Sequence, residues 1–272
     1  MNAVSETTTT GNAGHASVLA SRRSRAGAGV FSAAQFNLRS ALFNPFMLAF
    51  SLALPVMMYL MFGVGKDYSN VALGRGTFSG LIMVQMAFFG AINALAALGV
   101  TVAMERQQGW LRQIALTPLG AGRYAISKVL AGIALALAII AVTYAVGWAT
   151  GARLEWWVWL ATAAASLGVS LVASCIGLAA AFWLRSDAAY AATSGIITLS
   201  AFISGIFLPL EQMAPIMQQL APFTPLYGLA RLPMSFVTGE AITAGVAINA
   251  AIYSAVFVAL AVWGASRRTE RS

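Results

Sequence analysis

Side chains able to do chemistry are few in this chain, and they crowd into one place. Met104 to Gly120 reads MERQQGWLRQIALTPLG, with one acid, two arginines, three glutamines and a Thr-Pro in succession. At 100° per residue, Trp110, Leu111, Ile114 and Ala115 share one helical face. Glu105, Arg106, Gln108, Arg112 and Gln113 share the other, and Gln107 and Leu116 break the pattern. Pro118 disfavours helix at Thr117 and predicts a corner there. Such a helix can dock on a partner protein, or lie among lipid headgroups with Trp110 as an anchor; spacing alone leaves both open. Glu105 can pair with Arg106 or Arg112 at the helix end, or with a partner.

Catalytic chemistry finds little support elsewhere. A phosphate-binding loop of the form G-x-x-x-x-G-K-[ST] needs a suitably placed lysine. Lys66 precedes Asp67 and Lys128 sits in ISKV, so neither fits. The single histidine, His15, and single cysteine, Cys175, cannot build a zinc site or an intrachain disulfide. No histidine lies inside an apolar run, and Lys128 sits only at the very start of one, so no base for a membrane serine hydrolase is found in a span interior. No cofactor is expected on this chain.

The elements around that stretch are greasy. Of the 272 residues, 60% are hydrophobic and only 9% charged, and the mean hydropathy is +0.79. A soluble domain of this size carries about 25% charged residues. Six apolar runs are predicted as membrane spans, near 46–63, 80–104, 126–148, 156–183, 188–208 and 241–264. No acid or base lies in their interiors, which lowers the case for a proton- or ion-coupled transporter. Before the first span, VFSAAQFNLRSALFNP places Phe31, Ala34, Leu38 and Leu42 on one stripe, the pattern of an interfacial helix. Residues 1–28 are rich in Thr, Ala, Gly and Ser, with no compact apolar core of a signal peptide. They are expected to form a disordered cytoplasmic tail.

With the N-terminus inside, twelve of the sixteen Lys and Arg fall on the cytoplasmic side. The positive-inside rule therefore predicts both termini, and the stretch 105–118, in the cytoplasm of a multi-pass plasma (inner) membrane protein. Trp148, Trp156, Trp157 and Trp159 mark one interface, and Trp183 and Trp263 the other. Between spans five and six, FLPLEQMAPIMQQLAPFTPLYGLARLP holds five of the eight prolines. It is too broken for a span and too apolar for a free loop. A re-entrant outer element is expected there, with Pro215 opening a short helix through Leu220.

Span four carries Thr162, Ser166, Ser170 and Ser174 at four-residue spacing, and span five carries Ser194, Thr198, Ala201 and Ser204 among small residues. Such stripes read as close packing or as the seam of a pathway. Gln85 and Asn93 in span two, and Asn249 in span six, must face protein or water.

The run MERQQGWLRQIALTPLGAGRYAISK resembles the cytoplasmic signature of type-2 ABC exporter permeases, and is closest to the daunorubicin-resistance type of drug efflux permease. Glu105, Arg106, Gly109, Leu111, Leu116, Thr117, Pro118 and Lys128 match that pattern. Where the family often has a second acid and a small residue about the glycine, this chain has Gln107, Gln108 and Trp110. The resemblance covers about 30–265. It implies a permease domain over 29–265, a basic cytoplasmic tail over 266–272, and two cytoplasmic ABC ATPase subunits that bind ATP and magnesium. It also implies a second permease copy, identical or not, and makes 105–118 a coupling helix. The expected fold is an all-α membrane protein: six transmembrane helices, an N-terminal interfacial helix, the coupling helix and the outer element. The expected function is ATP-driven export, by alternating access, of a hydrophobic or amphipathic substrate of the drug, lipid or glycan-lipid class. The seam residues would be Gln85, Asn93, Ser194, Thr198, Ala201 and Ser204. No enzyme activity, metal or nucleic-acid binding is expected. A secondary exporter or channel working without an ATPase, and a non-transporting scaffold, remain open alternatives.

Overall fold

The computed structural model describes residues 29–116, 120–184, 186–207, 209–210 and 213–269. The expected tail 1–28 and the side chains beyond 264 lie outside the described residues. The order is α1 (29–42), α2 (Pro45–Leu48), a π turn (Ala49–Ala53), α3 (Leu54–Gly63), β1 (Ala72–Leu73) and β2 (Gly76–Thr77). There follow α4 (Phe78–Gln107), α5 (Trp110–Ala115), α6 (Gly120–Ala149), α7 (Trp156–Trp183) and α8 (Ser186–Ile203). Then come α9 (Pro215–Leu220), a 3-10 turn (Ala221–Phe223), α10 (Tyr227–Thr238) and α11 (Ala244–Thr269).

Among the described residues, four segments are long and apolar enough to cross a membrane: Phe78–Val102, Ile126–Ala149, Trp156–Trp183 and Ala244–Gly264. The first and fifth predicted spans instead contain the shorter apolar helices Ser51–Gly63 and Ala188–Ile203. Their shortening has local causes. Pro55 has no N–H for the helical ladder, and the π turn sits just before it. α8 ends in a turn centred on Gly205, with the Ile206 N–H donating to the Ala201 carbonyl at 3.1 Å.

α4 is the axis of the bundle, with 89% of its apolar window buried. Its side chains Met83, Val84, Phe88, Ile92 and Ala96 form the centre of the main core with Ile176, Ile197 and Leu226. α7 lies directly on it, and a Cβ on Gly177 would stand 2.0 Å from the Ala96 carbonyl oxygen. The hydroxyl stripe of α7 is packing: Thr162, Ser166 and Ser170 are buried, and the Thr162 and Ser170 hydroxyls bond back to the carbonyls of Val158 and Ser166. Burial is sparse on α11, 17% of its window, so most of that helix is bare on this chain.

Three features differ from the sequence expectation. The packed stripe of α1 is Asn37, Leu38 and Ala41, while Phe31, Phe36 and Phe43 point outward. The Asn37 amide reaches the Ser127 hydroxyl at 3.4 Å, which gives its polar group a partner inside. A two-stranded hairpin, Ala72 opposite Thr77 and Leu73 opposite Gly76, caps one end of the otherwise helical chain. The expected outer element is helical over most of its length. α9 starts at Pro215 as its proline predicts, but α10 runs straight through Pro233. Its Leu229, Ala230, Pro233, Met234 and Val237 are buried at helical spacing, so packing against α4, α7 and α11 outweighs the missing N–H.

The two tryptophan groups separate as expected. Trp183 and Trp263 lie 4.7 Å apart between ring centres, and Trp148 and Trp156 are exposed where α6 ends and α7 begins.

Candidate functional site

α4 projects past its apolar stretch, which ends at Val102, and carries Glu105 one turn further on. Gly109 then turns the chain with φ 75°, a left-handed conformation that glycine adopts without strain, and α5 begins at Trp110. The same part of the bundle receives the opening turns of α6, with Tyr124 and Lys128 four residues apart on one face.

These turns meet at Glu105. Lys128 Nζ lies 2.6 Å from Glu105 Oε1, and the Tyr124 hydroxyl donates to Oε2 at 2.8 Å. Lys128 also donates to Thr101 Oγ1 at 3.0 Å, and that hydroxyl donates to the Leu98 carbonyl. The lysine side chain is only 6% exposed and the glutamate 24%, so the pair is held largely away from water. A buried cation without a partner is costly; here a carboxylate, a hydroxyl and the Tyr124 ring at 5.8 Å surround it. Burial pushes the Tyr124 phenol above its ordinary value, the Glu105 hydrogen bond and charge add to this, and Trp110 opposes them. The phenol therefore stays a donor to the carboxylate at any physiological pH.

Beyond the pair, α5 shows two faces. Ile114 is buried, Trp110 is half-exposed, and Leu116, just past the helix, is 90% exposed. An apolar side chain so bare at the tip of a short helix is a surface a partner can cover. The side chains of Arg106 and Leu111, and Thr117 and Pro118 altogether, lie outside the described residues.

The structure joins Glu105 to Lys128, 23 positions away; the side chains of Arg106 and Arg112, the expected helix-end partners, lie outside the described residues. Thr101 and Tyr124 belong to the same cluster and were missed. Their signal was four-residue spacing: Thr101 precedes Glu105, and Tyr124 precedes Lys128, by one helical turn.

A cavity of about 540 Å³ opens beside this cluster, between the π turn, α4 and α8. Asn93, Thr101 and Met104 line it from α4, Thr193 and Ser194 from α8, and Ser51 from the π turn. The Thr193 hydroxyl is buried with no hydrogen-bond partner. Thr101 is shared, since it lines the cavity and accepts from Lys128.

The six expected seam residues do not come together. Asn93 and Ser194 line this cavity. Gln85 lines a second one, of about 450 Å³, toward the other end of α4, and donates weakly to Met234 Sδ at 3.7 Å. Ala201 is fully buried in the main core, and buried Ser204 bonds back to the Ala201 carbonyl. Thr198 lies between, half-buried. Asn249 is no cavity residue; it holds backbone. Its amide N–H groups donate to the carbonyls of Pro222 and Thr224, and its oxygen accepts from the Gly228 N–H at 2.9 Å.

No three His, Cys, Asp or Glu side chains gather in a metal-binding group among the described residues. Residues 29–235 match the family model described as ABC-2 type transporter. A search of curated proteins finds no match to the chain.

Proposed function

The chain belongs to the ABC-2 type transporter family, as a multi-pass membrane permease subunit, and on that premise we propose that it exports a hydrophobic or amphipathic substrate under the control of an ABC ATPase. The permease domain lacks an ATPase, and that activity resides on a separate subunit. In this reading two such subunits bind ATP and magnesium in the cytoplasm and press on α5 and its flanks. Glu105, Arg106, Gly109, Leu111, Leu116, Thr117, Pro118 and Lys128 form the coupling surface. Both termini are cytoplasmic, in keeping with the distribution of bases.

The observation that carries the reading is the position of Thr101. A push on α5 moves Glu105, Glu105 is tied to Lys128, and Lys128 is tied to Thr101 in the wall of the 540 Å³ cavity. α4 and α6 therefore move as one at this end, and the cavity between α4 and α8 changes with them. That cavity is lined by apolar side chains, amides and hydroxyls, and among the described residues the charges beside it, Glu105 and Lys128, neutralise each other. Such a lining favours an uncharged molecule with a few hydrogen-bonding groups over an ion. Because α4 is buried in its own chain, a second permease copy would meet α8, whose Leu199 and Phe202 are exposed, rather than α4. The drug, lipid or glycan-lipid class fits the lining equally.

The test is a photo-activatable residue in place of Leu116 in the full chain, in native membrane, with flux measured after reconstitution. Capture of an ABC ATPase, together with flux that needs ATP, supports the reading. Flux without ATP and without capture makes the protein a secondary exporter or channel. Absence of flux in every condition, with a partner that is no ATPase, makes it a scaffold. In the first case, Glu105→Gln should leave the ATPase bound while transport per ATP falls.

A further inference from the structure

The second cavity, of about 450 Å³, lies at the opposite end of α4, about 30 Å from Glu105 along the helix. It is bordered by Phe78 and by Thr243 and Val246, where two of the four long apolar segments begin. Its mouth is therefore at the membrane–water boundary, the depth of lipid headgroups. Exposed Trp148 and Trp156 mark the same end of α6 and α7.

Two opposite charges face this cavity, Arg231 from α10 and Glu240 from the segment before α11. They do not pair: Glu105–Lys128 is the ion pair found among the described residues. The Arg231 guanidinium lies 5.4 Å from the Tyr227 ring centre and meets no carboxylate among the described residues. Arg75, on the adjacent hairpin, is stacked 5.0 Å from Trp157 and leaves the Glu240 carboxylate unpaired. The same cavity is lined by Gln85, Ser235 and Thr238 and by the apolar side chains of Leu81, Leu210 and Val246.

An anion alone would satisfy Arg231 and be repelled by Glu240, and a cation alone the reverse. A molecule that carries both charges and an apolar tail satisfies both kinds of group in the lining. We propose that this cavity binds a phosphoethanolamine headgroup, with the phosphate on the Arg231 fork, the ammonium on Glu240 and the first acyl carbons on the apolar side. The site needs no assumption about the substrate, the direction of transport or the coupling surface. The same headgroup chemistry has two sources, membrane phosphatidylethanolamine and soluble glycerophosphoethanolamine.

The experiment is native mass spectrometry of the full chain taken from vesicles of equal phosphatidylethanolamine and phosphatidylglycerol. The wild-type chain should retain the ethanolamine lipid over the glycerol lipid by about tenfold, the scale of one charge-assisted contact. Arg231→Gln should lower retention of both lipids by about tenfold. Glu240→Gln, on an exposed segment, should keep phosphate binding and abolish the preference, and it reads the site even if Arg231→Gln fails to fold. Excess glycerophosphoethanolamine should not displace the lipid; if it does, the headgroup chemistry stands and the soluble compound is the occupant. Equal retention of the two lipids by the wild-type chain, or unchanged retention in Arg231→Gln, overturns the proposal.

Discussion

At one end of α4 a carboxylate, an ammonium, a phenol and a hydroxyl meet; at the beginning of α11 an amide and a phenol hold the backbone of a turn. The two clusters share a geometry. Each helix involved offers two polar side chains one turn apart: Thr101 and Glu105, Tyr124 and Lys128, Asn249 and Tyr253. Their chemistry differs. The first binds side chain to side chain and depends on two ionised groups. The second binds only backbone: Asn249 and Tyr253 take the carbonyls of Pro222, Phe223 and Thr224 in succession, and Asn249 also takes the Gly228 N–H. Non-helical carbonyls within an apolar bundle need such partners. A neutral clamp of this kind fixes a turn whatever the state of its surroundings. A charged cluster open to water on one side responds to whatever approaches it, which suits a surface that must transmit a push.

Substitutions can break this contrast in a definite order. Glu105→Ala leaves Lys128 buried without a counter-charge and should cost about 3 kcal/mol, after allowance for the partial exposure of the carboxylate. Thermal unfolding in detergent checks it, and the double variant Glu105→Gln with Lys128→Met should recover most of the loss. If the double variant is no more stable than Glu105→Ala, the charges are not what holds α4 to α6.

Next comes Asn249→Ala. It strands two carbonyls and an N–H, and should cost about 2 kcal/mol. Because the clamp is neutral, this loss should not change between low and high salt, whereas the cost of Glu105→Ala should shrink as salt rises. Equal salt dependence of the two would erase the distinction.

Gly109→Ala forces a left-handed residue into the corner before α5 and should cost about 1.5 kcal/mol. Its larger effect is expected on transport, through misdirection of α5, out of proportion to the loss of stability; flux and melting midpoint measured together decide this. The smallest change is expected from Tyr124→Phe, about 1 kcal/mol for one hydrogen bond. If it costs as much as Glu105→Ala, the phenol rather than the ammonium carries the cluster.

How far the sequence could be read depended on whether the deciding interaction was local. The start of α9 follows from Pro215, whose missing N–H is harmless in a first turn. The long apolar helices follow from runs without charge. α10 was hidden because Pro233 is a local veto, and the packing that overrides it comes from α4, α7 and α11. The shortening of the first and fifth apolar helices turns on single residues, Pro55 and Gly205, inside otherwise unbroken hydrophobic runs. The candidate coupling stretch was legible as a polar island; the partner of its acid was not, because Lys128 reaches Glu105 only after α4 and α6 are side by side. The seam was the least legible. Small and hydroxyl residues look alike in sequence whether they face a cavity, as Asn93 and Ser194 do, or a core, as Ala201 does.

The burial of α4 also sets a schedule for making the protein. Most of what surrounds it, α6, α7, α8 and α10, lies later in the chain, and α10 ends at Thr238. At about 5–20 residues per second, the ribosome needs on the order of ten seconds to deliver those partners after α4 emerges. Until α8 and α10 arrive, Asn93 and Gln85 lack the elements that complete the cavities they line. The axis of the finished bundle is thus among the first long helices made, yet the last of its own neighbours reaches it only when α10 is complete.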